Sequence, residues 1–264
     1  MTEIIGYALA VVIGISLGLI GGGGSILTLP ILVYLLGINP VLSTAYSLFI
    51  VGSTSLVGSV SYMKKGLVNY KTAIIFALPS FIAVFLTRKY LMPAIPQELL
   101  SLDSFVVDKD LGIMVLFALV MLMASYSMIT DNQPEEPENQ KCNYNYPLIV
   151  AEGLVVGTLT GVVGAGGGFL IIPALVLLVR LPMKIAVGTS LLIIAAKSLI
   201  GFMGDIGNQA IEWQFLLIFT GLSIVGIFIG TYLTKFIPGE KLKKSFGWFV
   251  LIMAVYILVK EVLL

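Results

Sequence analysis

The chain has no histidine, a single cysteine and very little charge. Without histidine it lacks the commonest metal ligand and the side chain that most readily relays protons near neutral pH. Neither a zinc-type centre nor a Ser/His/Asp catalytic set can therefore be assembled from these residues. Cys142 has no second cysteine to pair with, so an internal disulfide is excluded and the redox compartment is left open. Charged residues make up 11% of the sequence, against about 25% in a typical soluble domain. The formal net charge of +1 leaves no basic field for nucleic acid. No G-x-x-x-x-G-K loop is present, which argues against direct drive by ATP, and no cofactor is implied. What replaces the missing charge is apolar: hydrophobic residues reach 58% and mean hydropathy is +1.07. Several runs approach the ~20 residues that span a bilayer. Met1-Thr2-Glu3 lacks the basic start of a signal peptide, so the first run is expected to stay in the membrane.

Five apolar segments are predicted in each half, at roughly 4–20, 25–37, 41–62, 71–92 and 111–129, then 147–163, 168–180, 184–204, 214–236 and 245–262. Between them Asp131-Asn-Gln-Pro-Glu-Glu-Pro-Glu-Asn-Gln-Lys141 is polar and acidic and reads as a solvated linker. This divides the chain into a first transmembrane repeat over 1–130, a cytoplasmic linker over 131–146 and a second repeat over 147–264. A shift of 143 residues superposes the halves without a gap from Gly18 on Gly161 to Tyr70 on Trp213. Gly21, Gly24 and Pro30 fall on Gly164, Gly167 and Pro173, and Ser47 falls on Ser190.

Charge then separates a parallel from an inverted repeat. The loop after the third segment carries Lys64, Lys65 and Lys71 in the first half, but Asp205 and Glu212 in the second. Cytoplasmic loops collect Lys and Arg, so the equivalent loops belong on opposite sides. The expected fold is all-α and polytopic, two inverted-topology repeats whose first two segments are glycine-broken helix pairs or re-entrant hairpins. Both termini are expected outside the cell membrane, with Arg88, Lys89, Lys109 and Lys260 on the outer side.

The candidate binding residues lie at the breaks. Gly21-Gly22-Gly23-Gly24-Ser25 and Gly164-Ala165-Gly166-Gly167-Gly168 each separate two apolar segments, and each precedes a short helix expected to close at Pro30 or Pro173. Glycine allows a turn and a close backbone approach, and a helix start there favours an anion. Tight helix packing is the plainer reading of one such run. Two runs at equivalent places match the interrupted helices that flank a central transporter site. The third segments add hydroxyls, among them Ser47 and Thr54 in the first half and Thr189 and Ser190 in the second, which can donate to an oxyanion. Lys197 lies within the eighth segment. Either it supplies fixed positive charge for an anionic substrate, or it snorkels to the outer interface. Glu152 is read as an acid near the inner interface, with a coupling-proton role as the alternative.

At these motifs the chain resembles the sulfite exporter TauE/SafE family. The matching residues are Gly18-Leu-Ile-Gly-Gly-Gly-Gly-Ser-Ile-Leu-Thr-Leu-Pro30, Gly161-Val-Val-Gly-Ala-Gly-Gly-Gly-Phe-Leu-Ile-Ile-Pro173 and Leu181-Pro-Met-Lys-Ile-Ala-Val-Gly-Thr-Ser-Leu191. The first half departs from the pattern with Ala45-Tyr46-Ser47-Leu48 where the second has Gly188-Thr189-Ser190-Leu191. The resemblance implies a secondary transporter, an exporter, of a small organosulfur or sulfur oxyanion such as sulfite or sulfoacetate. Its partners would be that anion, membrane lipid and a coupling proton or other ion. An anion channel, or a carrier of a non-sulfur organic anion, is the alternative.

Overall fold

A computed structural model of the chain describes residues 2–102, 105–130, 146–163, 167–179, 181–206 and 210–263. The predicted linker and the turn residues Gly164 and Gly166 fall outside them. The element order is α1 (Thr2–Ile20), α2 (Gly23–Pro30), α3 (Pro40–Lys64), α4 (Tyr70–Leu86), α5 (Met92–Ala94), an antiparallel pair β1 (Glu98–Leu102) and β2 (Phe105–Asp108), α6 (Lys109–Thr130), α7 (Tyr146–Val163), α8 (Gly168–Pro173), α9 (Met183–Asp205), α10 (Trp213–Leu233) and α11 (Gly239–Leu263). Among the described residues, six helical stretches are long and apolar enough to cross a membrane: Pro40–Lys64, Tyr70–Ala94, Lys109–Thr130, Met183–Asp205, Trp213–Phe236 and Glu240–Glu261. Large apolar side chains such as Ile74, Leu78, Met123, Phe228 and Ile252 face outward on them. That pattern would be costly in water and suits a lipid surround.

The prolines do not close the short helices as expected. Pro30 keeps helical dihedrals (φ −60°, ψ −35°), and the chain runs on as a π-turn over Ile31–Leu35. Proline lacks an N–H and its ring presses on the carbonyl four residues back. A widened turn accommodates the defect without ending the helix, and the Leu36 N–H reaches Ile31 O at 3.1 Å. The same device follows Pro173 at Ala174–Leu178. A third π-turn, Thr87–Leu91, joins α4 to α5.

In the first half, α1 and α2 form a hairpin whose two ends lie side by side. A Cβ built on Gly6 would come 2.8 Å from the Leu36 Cδ2. Pro40 then opens α3, capped by Asn39 Oδ1 accepting from the Val41 and Leu42 amides at 2.9 and 3.4 Å. Each hairpin's first helix packs in parallel on a long helix of the opposite half. A Cβ on Gly18 of α1 would lie 2.7 Å from the Ile227 carbonyl oxygen of α10, and one on Gly157 of α7 would lie 2.6 Å from the Ser80 oxygen of α4. Ser223 Oγ adds a 3.0 Å bond to Ala10 O. Small residues let these backbones touch, as dry membrane interfaces require.

The centre is α3 against α9. Their spans are 67% and 72% buried, against 35–44% for the other four. They cross antiparallel, with Gly58 near Leu191, Gly52 against Leu199 and Gly201 near Leu48. Lysines gather at one end of the molecule. There Tyr62 OH donates to Gly18 O at 2.8 Å and Lys65 Nζ to Thr231 O at 3.1 Å. Partial burial, and then neighbouring Lys235, hold the Lys65 ammonium below its usual pKa.

Candidate functional site

The two glycine turns meet at the molecular centre. Gly21 sits in the left-handed region (φ +71°), where a side chain is strained. A Cβ there would stand 2.7 Å from Ser190 Oγ and 3.2 Å from the Val187 Cα. Gly167 is also left-handed (φ +67°), and its Cβ would run into Thr160 Cγ2 and Lys197 Nζ. Gly168 closes the contact: a Cβ would strike Gly22 Cα and lie 2.6 Å from Ile194 Cδ1. A continuous set therefore runs from Ser190 through Gly21 and Gly22 to Gly168, Gly167, Lys197 and Thr160. Gly21, Gly22, Gly167, Gly168 and both hydroxyls are buried.

Lys197 has 0% exposure, and its Nζ donates to Thr160 Oγ1 at 3.0 Å. It does not snorkel. No carboxylate lies within ion-pair distance of it among the described residues. An ammonium at such depth costs at least ~2.5–3.5 kcal/mol even on the mildest insertion scales, and one hydroxyl acceptor does not neutralise it. The arrangement brings together one lysine amine, backbone held open by glycine and hydroxyls close by. It carries a lysine on one side only. The positions equivalent to Thr160 and Lys197 in the first half are Leu17 and Thr54, and Gly24, the counterpart of Gly167, packs on Leu17 and Ile13.

The other predicted residues divide. Ser25 Oγ donates to Gly22 O at 2.6 Å, bracing the first turn from within. Gly23 opens α2. Thr189 Oγ1 accepts the Asn69 N–H at 2.9 Å, so it holds the connection between α3 and α4. Ser190 Oγ donates to Val187 O at 2.9 Å. Ser47 and Thr54 are fully buried with no hydrogen-bond partner among the described residues, as are Ser55 and Ser198. Four idle hydroxyls on the two central helices are more than native interiors usually tolerate. Glu152 lies on α7 eight residues before Thr160, about 12 Å along the axis. Its two carboxylate oxygens are shut from solvent without a donor.

Sequence reasoning missed Arg88. Expected on the outer side in a charged stretch, it is 1% exposed, donates Nη1 to Thr44 Oγ1 at 2.8 Å and stands 3.6 Å from Asp205. The available signal was its place near the end of an apolar segment that runs on past it to residue 92.

Comparison with known proteins agrees over the whole chain. The family model described as Sulfite exporter TauE/SafE matches residues 7–257. A "Probable membrane transporter protein" of Xylella fastidiosa (strain 9a5c) is 31% identical over 251 residues, covering 93% of this chain and 91% of its own. "Probable membrane transporter protein YunE" of Bacillus subtilis is 28% identical over 80% of this chain and 82% of its own. A third, "Probable membrane transporter protein MJ0441" of Methanocaldococcus jannaschii, is 34% identical over 42% of this chain and 43% of its own. No solved structure matches. With that match spanning both glycine turns and all six long apolar helices, the chain belongs to the sulfite exporter TauE/SafE family.

Proposed function

We propose that this protein is a secondary transporter that exports a small sulfur oxyanion or organosulfonate, such as sulfite or sulfoacetate, across the cell membrane. The family and the printed names of its relatives support membrane transport. The observation that carries the anion is Lys197, a buried cation that meets no carboxylate among the described residues, set where the two glycine turns touch. A bound oxyanion supplies the missing countercharge, and the Thr54 hydroxyl, without a partner among the described residues, is a donor on the facing helix.

The proposed mechanism is alternating access between inverted repeats, 1–130 and 147–264, with the linker inside and both termini outside. The 143-residue shift and the antiparallel crossing of the equivalent helices α3 and α9 support the inversion. Exchanging the two halves' conformations would open the centre first to one side, then the other. Lys197 and the described turn glycines Gly21, Gly22, Gly167 and Gly168 are buried, which favours an occluded carrier over an open anion channel. Glu152, buried without a donor, is the proposed coupling-proton site.

Proteoliposomes loaded with sulfite or sulfoacetate test the reading. Saturable uptake of labelled anion, accelerated by unlabelled anion on the far side, is expected. Non-saturating, uncoupled current would make it a channel. Flux of simple carboxylates with none of the sulfur anions would overturn the substrate class.

A further inference from the structure

Arg88 and Asp205 are joined across the two halves at the end of the α3–α9 seam remote from Lys64 and Lys65. Arg88 stands on the π-turn Thr87–Leu91, and Asp205 is the last residue of α9. Their closest approach, Nη1 to Oδ2, is 3.6 Å. That is an attraction but not a hydrogen bond, and Asp205 Oδ2 has no hydrogen-bond partner. Nη1 is committed to Thr44 Oγ1 at 2.8 Å. Among the described residues Nε and Nη2 have no acceptor, in a side chain that is 1% exposed. Those two nitrogens form one edge of the guanidinium, the edge that grips two oxygens of a carboxylate, sulfonate or phosphate side by side. A structural ion pair would be expected to use that edge on its own aspartate.

The edge also has somewhere to lead. On α9, Asp205, Ser198, Lys197 and Ser190 recur at seven or eight residues, which keeps them on one helical face. On α3, Thr44, Ser47 and Thr54 recur at three and seven. Because the helices cross antiparallel, the idle Ser47 and Ser198 hydroxyls fall on the stretch between Arg88 and Lys197. Lys109 lies within electrostatic reach of Arg88, with Asp110 beside it.

We propose that Arg88 is a second oxyanion-binding site, at the mouth of the seam that ends on Lys197. Its Nε/Nη2 edge takes two oxygens of the anion, and Asp205 is the counter-ion that the anion displaces. The class of ligand rests on the anion-transport reading above, but the binding test does not require transport.

Purified protein is titrated with sulfite, methanesulfonate and acetate, and thermal stabilisation is read for wild type, Asp205→Asn, Arg88→Gln/Asp205→Asn and Arg88→Lys. Removing the competing carboxylate should tighten anion binding by roughly tenfold, the scale of one charge-assisted contact. The double variant, which buries no net charge, should stay folded and lose that gain. Arg88→Lys, which keeps the competing aspartate and has an ammonium that cannot present the paired edge, should bind more weakly than wild type. If Asp205→Asn leaves affinity unchanged or lower while the protein remains folded, Arg88 is only a structural partner and the proposal falls. Saturable counterflow in wild type alongside that result would spare the transport reading. A tightened Asp205→Asn response without any wild-type flux would do the reverse.

Discussion

At the scale of single residues, position matters more than type. Lys197 occupies a space bounded by Thr160 and Gly167. Lys197→Met keeps the stem and removes the desolvated charge, so folded yield should hold or rise. Anion affinity in the same variant should fall at least tenfold, by roughly 1.4 kcal/mol or more. Lys197→Arg keeps the charge but needs room for a planar fork, and the crowding at Gly167 leaves none, so activity should fall well below wild type. Near-wild-type affinity in the Met variant would end the countercharge role. Two glycines of similar backbone geometry give a matched comparison. Gly167 (φ +67°) faces Thr160 and Lys197, whereas Gly37 (φ +66°) faces open space. Gly37→Ala should cost only the left-handed backbone penalty, ~1–2 kcal/mol. Gly167→Ala should add a steric clash and abolish transport. Equal thermal shifts for the two would mean that the Gly167 crowding is relieved by rearrangement.

Among the elements, the parallel pairs α1–α10 and α7–α4 carry the hairpins. Each hairpin's first helix is short for a bilayer and is held by backbone contact to a long helix of the other half. Gly226 of α10 faces Val11 and Gly14 of α1, and a Cβ on Gly230 would come within 3.0 Å of Gly18 Cα. Leucine at Gly226, or at Gly157 in the matching pair, should overpack the contact and cost at least ~1–3 kcal/mol. Gly221, on α10 but with nothing within 4 Å, is the control and should tolerate alanine. Melting of the detergent-purified variants checks this. An unaffected Gly226→Leu would show that the pair is not close-packed.

For the whole molecule, the distribution of charge predicts sidedness. Lys65 and Glu212 are exposed at opposite ends of the central helices. In a Cys142→Ser background, cysteine at 65 should be labelled from the cytoplasm and cysteine at 212 from outside. Labelling of both from one side would eliminate the inverted arrangement and, with it, alternating access by exchange of halves.

Much of this was legible in the chain itself. The glycine, proline and aromatic register repeated at 143 residues is the ground for reading a duplication, because such positions do not recur in step by chance among apolar helices. The segments predicted at 4–20 and 71–92 correspond to α1 and to the stretch from α4 to α5, within the usual slack of helix ends. The turns and Lys197 were singled out because glycine runs and a lysine are expensive in hydrocarbon wherever they occur. Tertiary structure decided what those features touch. That Lys197 meets Thr160 and does not snorkel depends on α7 delivering Thr160 from 37 residues away. The helices' passage through Pro30 and Pro173 depends on neighbours that hold a π-turn in place, which local propensity does not encode. Arg88 was misjudged for the same reason. A cation near the end of an apolar run is ordinarily solvated, and only the approach of Thr44 and Asp205 from α3 and α9 makes it an interior charge. Sequence periodicity reports the cost of placing a group in lipid; the partner that offsets the cost lies on another helix, and only the fold brings the two together.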